Sequence, residues 1–211
     1  MPLKKTGVIV ILGVALLAAV ITVLFLPHSL PEIAEGETAH VFTRLFGLYG
    51  FLFLGVATLI TPFLMEVTEA FGKPFIRVHH GLSVLGIVFI TLHPIFNAID
   101  RLNLAVFVPN FASWDLFWRL AGRPAFIIIY IAVAAALLRM KAPKYWRLFH
   151  ALMYVALLFG IVHAHLIGED FEILGLMLIF DALFAASIAT FVYKRYRNYR
   201  IRTVIPKQAE K

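Results

Sequence analysis

Six stretches of roughly twenty mostly apolar residues, the length that crosses a hydrocarbon core, alternate with short polar connections along this chain. They run about 7–26, 43–65, 79–98, 123–140, 147–167 and 171–193. Continuous apolar runs of this length predict membrane-spanning helices. Lys4-Lys5 precede the first stretch, and no small-residue cleavage motif follows Leu26-Pro27. It is therefore expected to be a retained span, not a removed signal peptide.

The connections alternate in charge. Lys4, Lys5, Lys73, Arg77, Arg139, Lys141, Lys144, Arg147 and the run Lys194 to Arg202 fall on one side. Glu32, Glu35, Glu37, Glu169, Asp170 and Glu172 fall on the other. Basic residues collect on the cytoplasmic side. The expected fold class is an all-α integral membrane protein, a six-transmembrane-helix bundle with both termini cytoplasmic. The expected divisions are a first helix and external loop (1–42), a helical core (43–195) and a cytoplasmic basic tail (196–211), polar and disordered after Arg202. The external connection 99–122 holds Ser113-Trp114-Asp115-Leu116-Phe117-Trp118-Arg119-Leu120. A serine cap followed by interfacial tryptophans predicts a short helix on the outer surface.

Composition agrees with a membrane protein: 62% hydrophobic and 15% charged residues, against about a quarter charged in soluble domains. A net charge of +7 would suggest nucleic acid in a soluble chain. Here the basic residues sit at span ends, and no nucleic-acid partner is expected. There is no cysteine among the 211 residues. That removes disulfides, thiolate zinc sites, Cys-ligated iron–sulfur clusters and covalent c-type haem, and leaves histidine as the expected metal ligand.

Ionisable side chains inside a membrane usually mark function. The third span carries His79-His80 and His93, and the fifth carries His150 and His163. The separations of 14 and 13 residues are rises of roughly 21 and 20 Å. Both spans run outward, so His79 or His80 shares the inner level with His150, and His93 shares the outer level with His163. At 100° per residue, His79 lies within about 40° of the His93 face, and His80 is about 140° off. His150 and His163 are also about 140° apart, which needs a π-bulge or a kink, and Gly160 lies in that stretch. On a straight helix His165 fits better, at about 60° off. Sites 20 Å apart cannot share one zinc tetrahedron, whereas two haems stacked across the bilayer suit two ligand pairs. His28 and His40 are expected to be solvent-exposed in the first external loop. Arg77, Lys144 and Arg147 at the inner level, and Arg44, Arg101, Arg119 and Arg123 at the outer level, are candidate partners for haem propionates. Interfacial anchoring explains each equally well. Gly47, Gly50, Gly55, Gly81 and Gly86 would allow close backbone approach.

Several stretches resemble the ferric-reductase-like transmembrane domain superfamily: Ala57-Thr58-Leu59-Ile60-Thr61-Pro62, Thr91-Leu92-His93, Arg123-Pro124, and Trp146-Arg147-Leu148-Phe149-His150 with His163 thirteen residues on. The resemblance spans roughly 43–195. By size it is nearest the haem-binding membrane subunit of the methionine-sulfoxide reductase system (the YedZ/MsrQ family). It implies His163, not His165, as the outer ligand on the fifth span. The His79-His80 doublet is more similar to the two-haem ferric reductases and oxidases. Those enzymes carry a cytosolic flavin and nicotinamide domain; this chain has no Rossmann fingerprint, and none is expected after residue 195.

The expectation is a b-type cytochrome of a prokaryotic plasma membrane. Electrons would pass from a cytoplasmic-side donor (a flavoprotein, bound FMN, or a quinol) through two bis-histidine haems to an external acceptor. That acceptor could be a methionine-sulfoxide reductase partner; a single haem per chain is the arrangement of that subunit. One rival is direct reduction of ferric iron or oxygen at the outer haem. A rival of another class is a non-redox transporter or assembly protein.

Overall fold

A computed structural model describes residues 3–204, with side chains through Arg200. The described residues are helices and turns, without strands. The chain runs α1 (Lys5–Ala34), α2 (Thr38–Leu59), α3 (Leu64–Phe71), α4 (Phe75–Arg101), α5 (Trp114–Arg119), α6 (Gly122–Leu137), α7 (Trp146–His150), α8 (Met153–Ile167) and α9 (Leu174–Val204). Single 3₁₀ turns lie at Leu104–Phe107 and Glu169–Glu172. Five units are long and apolar enough to cross a membrane: α1, α2, α4, α7 with α8 (Trp146–Ile167), and the Leu174–Arg200 stretch of α9. The chain is thus a multi-pass all-helical protein. The remaining expected span is α6, whose 16 residues reach only about 24 Å.

Helix α2 is the hub. Its Leu48, Leu52 and Val56 meet Ile21 and Phe25 of α1, Ile161 of α8 and Leu176, Phe180 and Leu183 of α9 in one buried cluster. Its Leu54 joins Ile129, Ala132, Met153, Ala156 and Leu157 in a second. Against α4 the approach is closer. A Cβ on Gly50 would fall 2.8 Å from the Ile90 backbone nitrogen, and one on Gly86 would fall 2.7 Å from the Leu54 side chain. Small residues let these two backbones touch, the device membrane helices use where lipid removes a hydrophobic drive.

Four expectations need correction. There is no long loop after the first span: α1 runs on through Pro27 and Pro31. The prolines deprive Val23 O and Pro27 O of their helical donors, yet the helix continues past both; Ser29 Oγ donates to Phe25 O at 3.0 Å, and His28 Nδ1 lies 3.3 Å from Leu24 O. His28 therefore lies in α1 and His40 in α2. The second span stops at Leu59, short of residue 65, because Pro62 cannot continue the helix. The next residues form α3, which sequence reading missed. It is tied to the N-terminal segment by Lys4 N–H to Ala70 O (3.0 Å) and Lys4 Nζ to Glu69 (2.6 Å). Finally, α9 runs on past the expected span end at residue 193 and carries the basic residues Lys194 to Arg202 on the same helix; beyond Val204, the disorder expected after Arg202 lies outside the described residues. The helix expected at 113–120 is α5, and Ser113 Oγ accepts from Leu116 N–H at 3.1 Å.

The acidic end is clamped by Arg44. Its guanidinium donates to Asp170 (2.5 and 3.2 Å) and Glu32 (2.5 Å), with Glu169 at 3.3 Å. The Arg44 and Asp170 side chains are only 10% and 6% exposed. The cluster joins α1, α2 and the turn before α9. Removing one partner of a buried pair strands the other charge and typically costs about 3–5 kcal/mol. Asp170→Ala should therefore lower the melting temperature of the detergent-purified protein sharply. Glu69→Ala should barely move it, since its pair with Lys4 is solvent-screened. The Lys4 ammonium holds the Glu69 carboxyl below its ordinary value. That small contribution is present above the unfolded carboxyl pKa and is lost as pH falls through the depressed one.

Candidate functional site

The site is built on two antiparallel helical hairpins. In the first, α4 returns along α2; in the second, α7–α8 returns along α5–α6. Each returning helix carries two histidines whose Nδ1 faces a backbone carbonyl of the outgoing one. His79 Nδ1 lies 3.1 Å from Ala57 O, and His93 Nδ1 lies 2.8 Å from Thr43 O. His150 Nδ1 lies 3.1 Å from Ala132 O, and His163 Nδ1 lies 2.7 Å from Arg119 O. The spacing matches on both sides of each hairpin: Ala57 and Thr43 are as far apart as His79 and His93, and Ala132 and Arg119 as far apart as His150 and His163. One helix register therefore satisfies both histidines. A carbonyl only accepts, so each Nδ1 carries the proton, and the lone pair of the neutral ring resides on Nε2.

The hairpins bring these rings together in two pairs. His79 and His150 have ring centres 6.1 Å apart, inclined at 77°. His93 and His163 are 6.4 Å apart at 81°. All four are half-buried, whereas His80 and His165 are exposed. The His80 ring centre lies 6.3 Å from that of His79 at a tilt of 46°. His165 turns away from His93, placing Nε2 2.8 Å from Asp181 of α9. His40 is half-buried and lies between Glu169 (3.2 Å) and Asp100 (3.7 Å). Its acidic neighbours were not legible from the sequence, because they come from α4 and the 169–172 turn.

His163 faces inward although a straight helix would favour His165. The distortion is at Ala151-Leu152, between α7 and α8, and not at Gly160. Leu152 N–H reaches Phe149 O and Tyr154 N–H reaches Ala151 O, each three residues back at 3.1 Å. A 3₁₀ step turns about 120°, so the two tightened residues recover roughly 40° of the mismatch of about 140°. A π-bulge would turn the other way. Gly160 instead takes the Phe51 ring, 3.2 Å from where its Cβ would be.

Beside His93 and His163 lies a cavity of about 490 Å³, within the range of small-molecule and cofactor sites. Its walls include Gly47, Leu54, Ile129 and Leu157, and Arg101, Arg119 and Arg123 stand around it. Arg123 Nη1 donates to Val108 O at 2.9 Å, and Arg101 Nε to Asn97 Oδ1 at 2.9 Å. Arg44 also borders the cavity, but its own carboxylates occupy it. At the other end Arg77 is exposed, Arg147 lies over Trp146 and Lys144 over Tyr145. Among the described residues no group of three or more His, Cys, Asp or Glu converges on a metal ion. Each imidazole pair thus stands without a third such side chain converging with it.

No family model matches the chain, and no curated protein or solved structure matches it significantly.

Two glycines make room for the outer rings. A Cβ on Gly47 would sit 2.9 Å from His93 Nδ1, and one on Gly122 would sit 3.1 Å from His163 Nε2. Gly47→Val and Gly122→Val should each destabilise the protein by about 1–3 kcal/mol through overpacking. Gly81→Val, with nothing within 4 Å of its Cβ position, should be close to neutral. Thermal unfolding in detergent measures the contrast.

Proposed function

We propose that this protein is a membrane b-type cytochrome that carries electrons from a cytoplasmic donor to an external acceptor. The observation that supports it best is the pair of histidine pairs, each tied by Nδ1 and spaced for one metal. A metal–imidazole bond is about 2 Å, and a ring centre lies about 1 Å behind its nitrogen. Two imidazoles on opposite faces of one iron thus place their centres roughly 6 Å apart, close to the 6.1 and 6.4 Å found. A pair without further protein ligands suits a group that brings its own four equatorial nitrogens. The cavity of about 490 Å³ beside the outer pair has apolar walls for a porphyrin and a rim of arginines for its carboxylates. The residues around the outer pair fit a b-type haem, and the inner pair repeats its ligand spacing for a second; when bound, such groups would supply reversible one-electron chemistry.

In this reading His79 and His150 hold the inner group and His93 and His163 the outer one. Arg101, Arg119 and Arg123 neutralise the outer carboxylates, and Arg77 and Arg147 the inner ones. The carbonyl held by each Nδ1–H makes the imidazole a stronger donor and fixes its ring plane. In this reading α6, reached through α5 and the outer turn, serves as a sixth span, and the alternation of charge supports a cytoplasmic basic end. Lys and Arg at that end then suit an acidic flavoprotein, FMN phosphate, or a quinol site as electron donor. The resemblance to the methionine-sulfoxide reductase subunit makes an external oxidoreductase the acceptor of choice. The membrane is then a prokaryotic plasma membrane. Outward electron flow is favoured by an inside-negative potential, by up to about 2.3 kcal/mol per charge per 100 mV.

The haem-replete protein should give low-spin b-type bands on dithionite reduction and close to two haems per chain by pyridine haemochrome. A preparation without a Soret band contradicts the cytochrome reading. Among variants, His79→Ala and His150→Ala should each remove the same low-spin paramagnetic resonance signal, and His93→Ala and His163→Ala the other. His80→Ala and His165→Ala should retain both. Loss of a signal in His165→Ala with both kept in His163→Ala reverses the outer assignment.

A further inference from the structure

The two histidines that receive the freest carbonyls share a feature that the proposed function does not use. In each case a proline lies five residues after the carbonyl. Pro62 has no N–H for Thr58 O, its acceptor in an unbroken helix. Thr61 N–H bonds Thr58 O instead, at 3.2 Å. That withdraws the donor due to Ala57 O, which takes His79 Nδ1 (3.1 Å) and Thr61 Oγ1 (3.2 Å). The second hairpin repeats the arrangement. Pro124 has no N–H for Leu120 O, so Arg123 N–H bonds Leu120 O at 3.0 Å. Arg119 O is left without its helical donor and takes His163 Nδ1 at 2.7 Å, the shortest of the four contacts. His93 and His150 face Thr43 O and Ala132 O, which lie inside α2 and α6. Those carbonyls also serve their own helix.

We propose that Pro62 and Pro124 are positioning residues: each frees one carbonyl, five residues earlier, to hold a metal-ligating histidine by its Nδ1–H. One histidine of each pair is held this way, His79 at the basic end and His163 at the acidic end. The two ligands of a pair are therefore unequal. A carbonyl relieved of its helical N–H, wholly at Arg119 and with only the weaker Thr61 Oγ1 contact left at Ala57, draws more strongly on Nδ1–H and makes Nε2 more basic, which favours the oxidised metal. The proposal rests on the haem reading for the word ligand; the hydrogen bonds do not.

The test uses the full chain, haem-loaded in detergent, as Pro62→Ala and Pro124→Ala. Restoring the N–H lets the helix reclaim its carbonyl. Loss of such an outer partner typically weakens metal binding about 10–100-fold, and a weakened one should sit at the low end. Pro62→Ala should raise the midpoint potential and shift the resonance signal of the His79/His150 haem alone; Pro124→Ala should do so for the His93/His163 haem alone. Unmoved signals, or both haems shifting together in either variant, overturn the proposal. A second measurement needs no variant: in the reduced, diamagnetic wild-type protein, ring ¹⁵N spectra should show slowly exchanging Nδ1 protons on His79 and His163. A missing or rapidly exchanging proton there overturns it as well. If no preparation binds haem, the haem reading fails by itself. The ring nitrogens of the haem-free chain then decide the proposal: those of His79 alone should respond to Pro62→Ala, and any other pattern overturns it.

Discussion

An imidazole N–H inside a bilayer needs an acceptor, and here each of four finds a backbone carbonyl on the neighbouring helix. A buried unsatisfied donor costs about 1–3 kcal/mol, so these bonds constrain where the helices lie. Both bonds of a hairpin form only when its helices are in one register, because the carbonyls repeat at the spacing of the histidines. Gly50 and Gly86 let α2 and α4 approach closely enough for those bonds. With the rings fixed by Nδ1, Nε2 is the remaining ring nitrogen; on His79 it lies 3.5 Å from Ser83 Oγ. The two hairpins then face each other, and the pairs His79/His150 and His93/His163 follow.

The two ends treat charge differently. At the acidic end Arg44 is consumed by Asp170, Glu32 and Glu169, so it closes the top of the cavity without offering its charge to a ligand. Arg101, Arg119 and Arg123 carry no such carboxylate partners among the described contacts and border the same cavity. At the basic end Lys194 Nζ donates to Thr61 O at 3.1 Å, next to the turn that frees Ala57. Arginine in one place is thus tied to carboxylates of its own chain and in another borders the cavity without one, and only the neighbouring carboxylates distinguish them.

The apolar runs made five of the spans legible, because length and composition suffice for that. They did not reveal that α1 passes through two prolines, since proline in sequence reads first as a helix end. Residue counting and charge alternation placed the histidines at two levels, and His79 over His80 followed from the helical face. His163 over His165 did not follow from geometry, because the tight step at Ala151-Leu152 leaves no mark in sequence. Thr61-Pro62 and Arg123-Pro124 were visible only as points of resemblance. Their physical role needs the return helix, whose register exists only in three dimensions. Arg44 read as one more interfacial cation because its partners are 12 and 126 residues away.

Near-infrared magnetic circular dichroism of the oxidised, haem-loaded protein tests the central claim most directly, because the charge-transfer band reports the identity of the axial ligand pair. The geometry of the two histidine pairs predicts bis-imidazole ligation at every bound haem. A band belonging to a high-spin or a histidine–methionine centre in the wild-type protein would contradict it.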